Sequence, residues 1–194
     1  MDADEFRDYI LGFIFYKYLS EKMENYADHL LKEDGLHYAA LDENSKEGQE
    51  ILDAIKEDAI ESLGYFLKPS ELFSAVAKRG NSDTNNFILE DLTGILRSVE
   101  QSTMGHESED DFGHLFEDLD LTSTKLGKTE EAKNTLISKV LSHLDKINFE
   151  LKNHDRDVLG EMPMSISSHS LLQVLVKRLV SFTRLNRSLK YLQR

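Results

Sequence analysis

The feature that most limits what this chain can fold into is its shortage of interruptions: two prolines, Pro69 and Pro163, stand in 194 residues. Proline breaks a helix by removing an N–H and crowding the preceding turn. A half-buried strand would show strict apolar–polar alternation, and that pattern is hard to find here. The sequence therefore predicts helix almost throughout. The first stretch runs from residue 4 to about 31, with Phe6, Tyr9, Ile10, Phe13, Ile14 and Phe15 crowding every side. A helix that is apolar all round has no face to give to water, so it belongs at the centre of a bundle; polar residues return from Lys17 onward.

Further helices follow from spacing and caps. Asn44 or Ser45 can cap a second helix with Leu52, Ile55, Ala59 and Leu63 on one face, and Gly64 is placed to end it in a left-handed turn. Residues 65–67 form a short apolar run, extended or packed as a loop, that must end before Pro69. Ser70 then caps a short helix through Val76, closed by Gly80, and residues 80–86 (GNSDTNN) read as a loop. Ile88, Leu92, Ile95, Leu96 and Val99 predict the next helix, and residues 106–129 form a polar, acidic, turn-rich stretch. Thr129 or a neighbour opens the last clear amphipathic helix, whose buried face carries Ile137, Val140, Leu141, Leu144 and Ile147. The expected fold class is all-α: a single multi-helix domain packed around the first helix, with one small extended element near Tyr65.

Charge and composition narrow the function. The formal net charge is −13, and a surface that acidic repels phosphate, so any role at DNA needs a partner or a local basic patch. There are no cysteines, which excludes disulfides and zinc–thiolate sites. The opening MDADEFRDY is acidic where a secretory signal is basic. The longest apolar run, residues 9–16, is far short of the roughly 20 residues that span a bilayer. A cytoplasmic protein without membrane contact is the expectation.

Motifs for chemistry are wanting. Gly127, Lys128 and Thr129 resemble the end of a phosphate-binding loop, but Thr122 stands where that motif needs its first glycine, and no strand precedes it. Glu107, Glu109, Asp110 and Asp111 lack the ligand spacing and central glycine of a calcium loop. The seven histidines, His29, His114 and His143 among them, show no paired metal-ligand spacing. No serine sits in a nucleophile elbow. No catalytic, cofactor-binding or metal-binding residue is assigned.

Three segments, in order, carry a family resemblance: DEFRDYILGFIFYKYLSEKME at 4–24, LFEDLDLTSTKLGKT at 115–129, and LDKINFELKNHDRDVLG at 144–160. The first resembles the opening of the modification (methylation) subunit of type I restriction-modification systems, an adenine-N6 DNA methyltransferase family. The resemblance covers residues 1–160 and implies the helical N-terminal domain of such a subunit. In that family an S-adenosylmethionine-binding catalytic domain follows, marked by Asn-Pro-Pro and an aromatic residue. With prolines only at 69 and 163, that signature is absent from this sequence, and no cofactor is expected on it. The implied partners are the specificity subunit, DNA through the assembled complex, and the restriction subunit indirectly. Lys125 and Lys128, on the loop before the last clear helix, are the candidate interaction residues.

Composition breaks at Gly160. Residues 1–160 carry 35 acidic and 17 basic side chains, whereas 161–194 carry one acidic and six basic. Two explanations stand. Joining the last base of each codon to the first two of the next lets residues 161–168 encode Asp-Ala-Tyr-Glu-Tyr-Leu-Ile. The same shift lets 176–185 encode Lys-Lys-Ala-Gly-Glu-Phe-Tyr-Thr-Pro. Both are continuations the family shows, so 161–194 reads as an atypical basic tail produced out of frame. The alternative is a DNA-binding tail using Lys177, Arg178, Arg184, Arg187 and Lys190. Two other functions stay open beside the assembly role: methyltransferase activity, residual or by complementation with a catalytic fragment, and an unrelated helical scaffold.

Overall fold

The aromatic run at the start does form one long helix, α1 (Ala3–Leu30). The computed structural model describes residues 3–80, 88–112, 116 and 119–147, with the backbone alone at 3–8 and 111. Five helices follow: α2 (Lys46–Leu63), α3 (Phe73–Gly80), α4 (Ile88–Ser102), the single turn α5 (Glu109–Phe112) and α6 (Glu130–Asp145). Among the described residues there is no strand. The domain is all-α.

Most caps and stripes fall where the spacing places them. Ser45 caps α2, its hydroxyl accepting from the Gly48 N–H at 2.9 Å. Gly64 ends that helix at φ 85°, a left-handed conformation that costs glycine nothing. Leu52, Ile55, Ala59 and Leu63 are buried, as are Ile88, Leu92, Ile95, Leu96 and Val99 of α4. On α6, Thr129 is the cap and Ile137, Leu141 and Leu144 are buried.

Several expectations are corrected. Ser70 does not cap α3: it lies inside a 3-10 turn, Pro69–Glu71, in which the Glu71 carboxylate accepts the Lys68 N–H at 2.9 Å. Helix α3 begins only at Phe73, whose N–H donates to the buried Ser20 hydroxyl at 2.7 Å. Gly80 is the last residue of α3, and 81–87 lie outside the described residues. Of the two readings of the run 65–67, the packed loop is the one found, with Tyr65, Phe66 and Leu67 all buried. Val140 and Ile147 are half-buried, and Asn134 takes an inward place instead, its Oδ1 accepting the Leu89 N–H at 3.0 Å. Residues 148–194, the whole basic tail among them, lie outside the described residues.

Helix α1 is central but shares that position. It packs on α2, α3 and α6, while α6 packs on α1, α3 and α4. Phe13, Ile14, Tyr16, Met23 and Ala27 of α1 are almost completely buried. Lys17, where polar residues return in the sequence, is buried with them. Its ammonium meets the Glu21 carboxylate one turn on and lies 5.3 Å above the centre of the Phe73 ring. A lysine inside a core needs such partners, because an unpaired buried charge is very costly.

Candidate docking surface

Three buried tyrosine hydroxyls fasten the framework behind the surface. Tyr16 donates to the Glu71 carbonyl, Tyr38 to that of Leu67, and Tyr65 to that of Leu19 at 2.8 Å. Burial pushes all three phenols far above their ordinary pKa, so they remain proton donors throughout the physiological range.

Against this framework lie residue 116 and residues 119–129, between α5 and α6, a strap across the first helix. Phe116, Leu121 and Leu126 are buried, so the stretch that reads as polar loop has an apolar underside. The Phe116 ring meets Phe15 of α1 at 6.2 Å, and Tyr9 of α1 donates its hydroxyl to the Asp120 carbonyl at 2.7 Å. The Asp120 carboxylate accepts from the Thr122 hydroxyl at 2.5 Å and from the Thr122 N–H at 3.0 Å, turning the chain back on itself. Those bonds, the hydroxyl's first, hold its carboxyl below the usual range. At the far end Lys133 of α6 donates to the Thr122 carbonyl.

The motifs left over from the sequence find structural places in this region. Gly127 passes so close to α6 that a β-carbon there would lie 2.9 Å from the Lys133 nitrogen. Thr129 accepts the Ala132 N–H at 3.2 Å as the α6 cap. The Gly-Lys-Thr run is thus the entry to a helix. In the acidic run, Glu109 accepts the Gly105 N–H at 2.7 Å, while Glu107 and Asp110 are exposed. The Asp111 side chain and all of His114 lie outside the described residues. His29 and His143 are exposed, and a ring nitrogen of His143 lies 2.7 Å from the Lys139 carbonyl. Among the described residues no group of three or more His, Asp or Glu side chains is placed to hold a metal ion.

Lys125 and Lys128 both stand exposed on the outer side of the strap. The outer face of α2 is the opposite kind of surface, exposing Glu47, Glu50, Asp53, Glu57, Asp58 and Glu61. The sequence missed Asn134, Lys17 and the leucine underside of the strap. The one hint for the last was the alternation in Leu-Asp-Leu at 119–121.

Fold and surface together define a helical packing domain whose described polar interior is internally satisfied: no buried side-chain polar atom among the described residues lacks a partner. The family model for the HsdM N-terminal domain matches residues 1–144. The type I restriction enzyme MpnII methylase subunit of Mycoplasma pneumoniae is 32% identical over 168 residues, covering 83% of this chain and 30% of that protein. A crystal structure of the type I restriction-modification system methyltransferase subunit from Streptococcus thermophilus aligns with a TM-score of 0.60 at 31% identity, covering 76% of this chain and 31% of that one. The chain therefore spans a little under a third of the length of these relatives. It belongs to the HsdM N-terminal domain family. No described helix is long and apolar enough to cross a membrane.

Proposed function

We propose that this domain is the assembly part of a type I restriction-modification methyltransferase subunit: it docks on the specificity subunit and helps close the complex around DNA. The observation that carries the reading is the family match over residues 1–144, which takes in every described helix but the last residue of α6. Methyl transfer to adenine and the binding of S-adenosylmethionine are assigned to the family's catalytic domain. These 194 residues contain no Asn-Pro-Pro run with which to perform that chemistry. The charge distribution supports a protein-mediated role at DNA, since a chain of net charge −13 gains little from phosphate directly.

Lys125 and Lys128 are the proposed contacts on the strap. Exposed charges at the rim of an interface act mainly through association rate and salt dependence. Co-purification with the cognate specificity subunit at low and moderate salt is the test. A stoichiometric complex is expected, weakened about threefold to tenfold by Lys125→Glu with Lys128→Glu, and less so as salt rises and screens the pair. Failure of the wild-type chain to form the complex at either salt would overturn the docking role. Unchanged affinity of the double reversal would remove the two lysines from the interface. Transfer of a labelled methyl group to DNA by the chain alone would instead make it an enzyme.

A further inference from the structure

The strap is seated on α1 where a side chain is missing. Leu119 packs directly over Gly12, so closely that a β-carbon on that glycine would run into the leucine's branch carbon and one of its methyl groups. Gly12 lies in the interior of a 28-residue helix, where glycine is otherwise a liability of roughly 0.5–1 kcal/mol relative to alanine. One residue further along the strap, the Asp120 carbonyl receives the Tyr9 hydroxyl, less than one turn of α1 before Gly12. A turn the other way, Phe15 receives Phe116. Tyr9, Gly12 and Phe15 are thus three successive footholds on one side of α1, each used by a different strap residue. The contact joins two of the three sequence segments, 4–24 and 115–129, on which the family resemblance rests.

Resting on the docking reading above, we infer that the Gly12–Leu119 seat positions the strap, and with it Lys125 and Lys128, for the specificity subunit. The strap's own hydrogen bonds are local. Leu121 donates to Leu119, Ser123 to Asp120, Leu126 to Ser123 and Gly127 to Thr124, at 2.9–3.3 Å. Such turns shape the segment without fixing it to the domain. Attachment falls to Phe116 and the leucines, the Tyr9 hydroxyl and the Lys133 ammonium, and among these Leu119 is the one seated where α1 carries no side chain. A docking loop held in its bound shape before the partner arrives is not ordered at the partner's expense. Gly12 and Leu119 are in this sense positioning residues, acting on the partner through the loop they hold.

The test separates the seat from the stability of the helix that carries it. Gly12→Ala improves the helix propensity of α1 while obstructing the seat, so thermal unfolding cannot report on the seat but the strap can. Trypsin cleaves after lysine, and fast cleavage after Lys125 or Lys128 requires the strap to leave the domain locally. In the full chain, Gly12→Ala is expected to speed cleavage at these two lysines about tenfold and to weaken the complex with the cognate specificity subunit by a similar factor. Leu119→Ala, which removes the knob instead of filling the socket, should do the same. The double variant should be no looser than Leu119→Ala alone, because the clash is gone. Cleavage of both single variants at the wild-type rate would overturn the seat. Faster cleavage with unchanged affinity would overturn its role in docking while leaving the docking function intact. If the wild-type chain forms no complex, the docking function itself fails and this inference with it.

Discussion

The centre of the bundle and the strap are fastened by the same bond, a tyrosine O–H donated to a backbone carbonyl, set in different surroundings. Tyr38 and its acceptor residue Leu67 are fully buried. Tyr9 is nearly buried, but its acceptor belongs to Asp120, an exposed residue on a turn. A carbonyl deep in the core that loses its donor has nothing else to bond, whereas one at the surface exchanges the hydroxyl for water. The same chemistry therefore builds a rigid framework in one place and a shallow, releasable attachment in the other.

The comparison can be broken most forcefully at Phe73, where rigidity in the core concentrates. Its ring packs on Tyr16 at 5.4 Å and lies beneath the Lys17 ammonium. Phe73→Ala is expected to destabilise the domain by about 3–5 kcal/mol in denaturant unfolding, through the cavity and the loss of the ring beneath Lys17 together. A loss below about 1 kcal/mol would mean that the core collapses around the gap and is no firmer than the strap. Next in size is Tyr38→Phe, which strips the Leu67 carbonyl of this donor and should cost about 1–3 kcal/mol.

Alkali gives a third, independent handle. The ordinary value for the tyrosines is 10.0, and burial raises Tyr16, Tyr38 and Tyr65 well above it in the folded chain. A folded pKa above the unfolded one means that this contribution is complete below pH 10 and is lost as pH climbs from there toward the folded values. Each such tyrosine should steepen the loss by about 1.4 kcal/mol per pH unit above 10. Lys22, lowered by burial, works in the opposite direction over a neighbouring range. Urea titrations between pH 9 and 11 on Tyr65→Phe should show a slope shallower than the wild type's, by a difference that approaches one proton toward the upper end of the range. An identical slope would mean that Tyr65 ionises as freely folded as unfolded.

The smallest effect belongs to Tyr9→Phe: less than about 1 kcal/mol globally, since water can replace its hydroxyl at Asp120. A cost as large as that of Tyr38→Phe would erase the distinction between framework and strap.

What the sequence made legible follows the same division. Helices α2, α4 and α6 have one wet face and one dry face, so their apolar residues recur at helical spacing and announce themselves, down to the Ser45 and Thr129 caps. Periodicity says nothing where a residue is inward for a partner rather than for its own apolarity, as with Lys17 and Asn134. It also fails in coil: Leu119, Leu121 and Leu126 turn inward through successive tight turns, at intervals of two and then five that sustain neither helix nor strand period. Ser70 looked like a cap because serine often is one, but Pro69 starts a tighter turn and Glu71 supplies the acceptor. At the candidate surface, the sequence located Lys125 and Lys128 on an exposed loop but could not show what holds that loop in place. The seat is a contact between residues more than a hundred positions apart, and one of them is a glycine with no side chain to betray it.

As the chain leaves a ribosome, Leu89 precedes Asn134 by 45 residues, roughly 2–9 s of synthesis at about 5–20 residues per second. Through that interval the first turn of α4 has no acceptor from α6, and α4, whose buried stripe carries Ile88, Leu92, Ile95 and Val99, has α3 beside it but not yet α6. Both wants are met at once when α6 arrives, because the helix that completes the packing on α4 also brings the amide oxygen. The last described helix to be made thus sets the moment at which the earlier ones stop being a nascent, chaperone-accessible surface and become a domain.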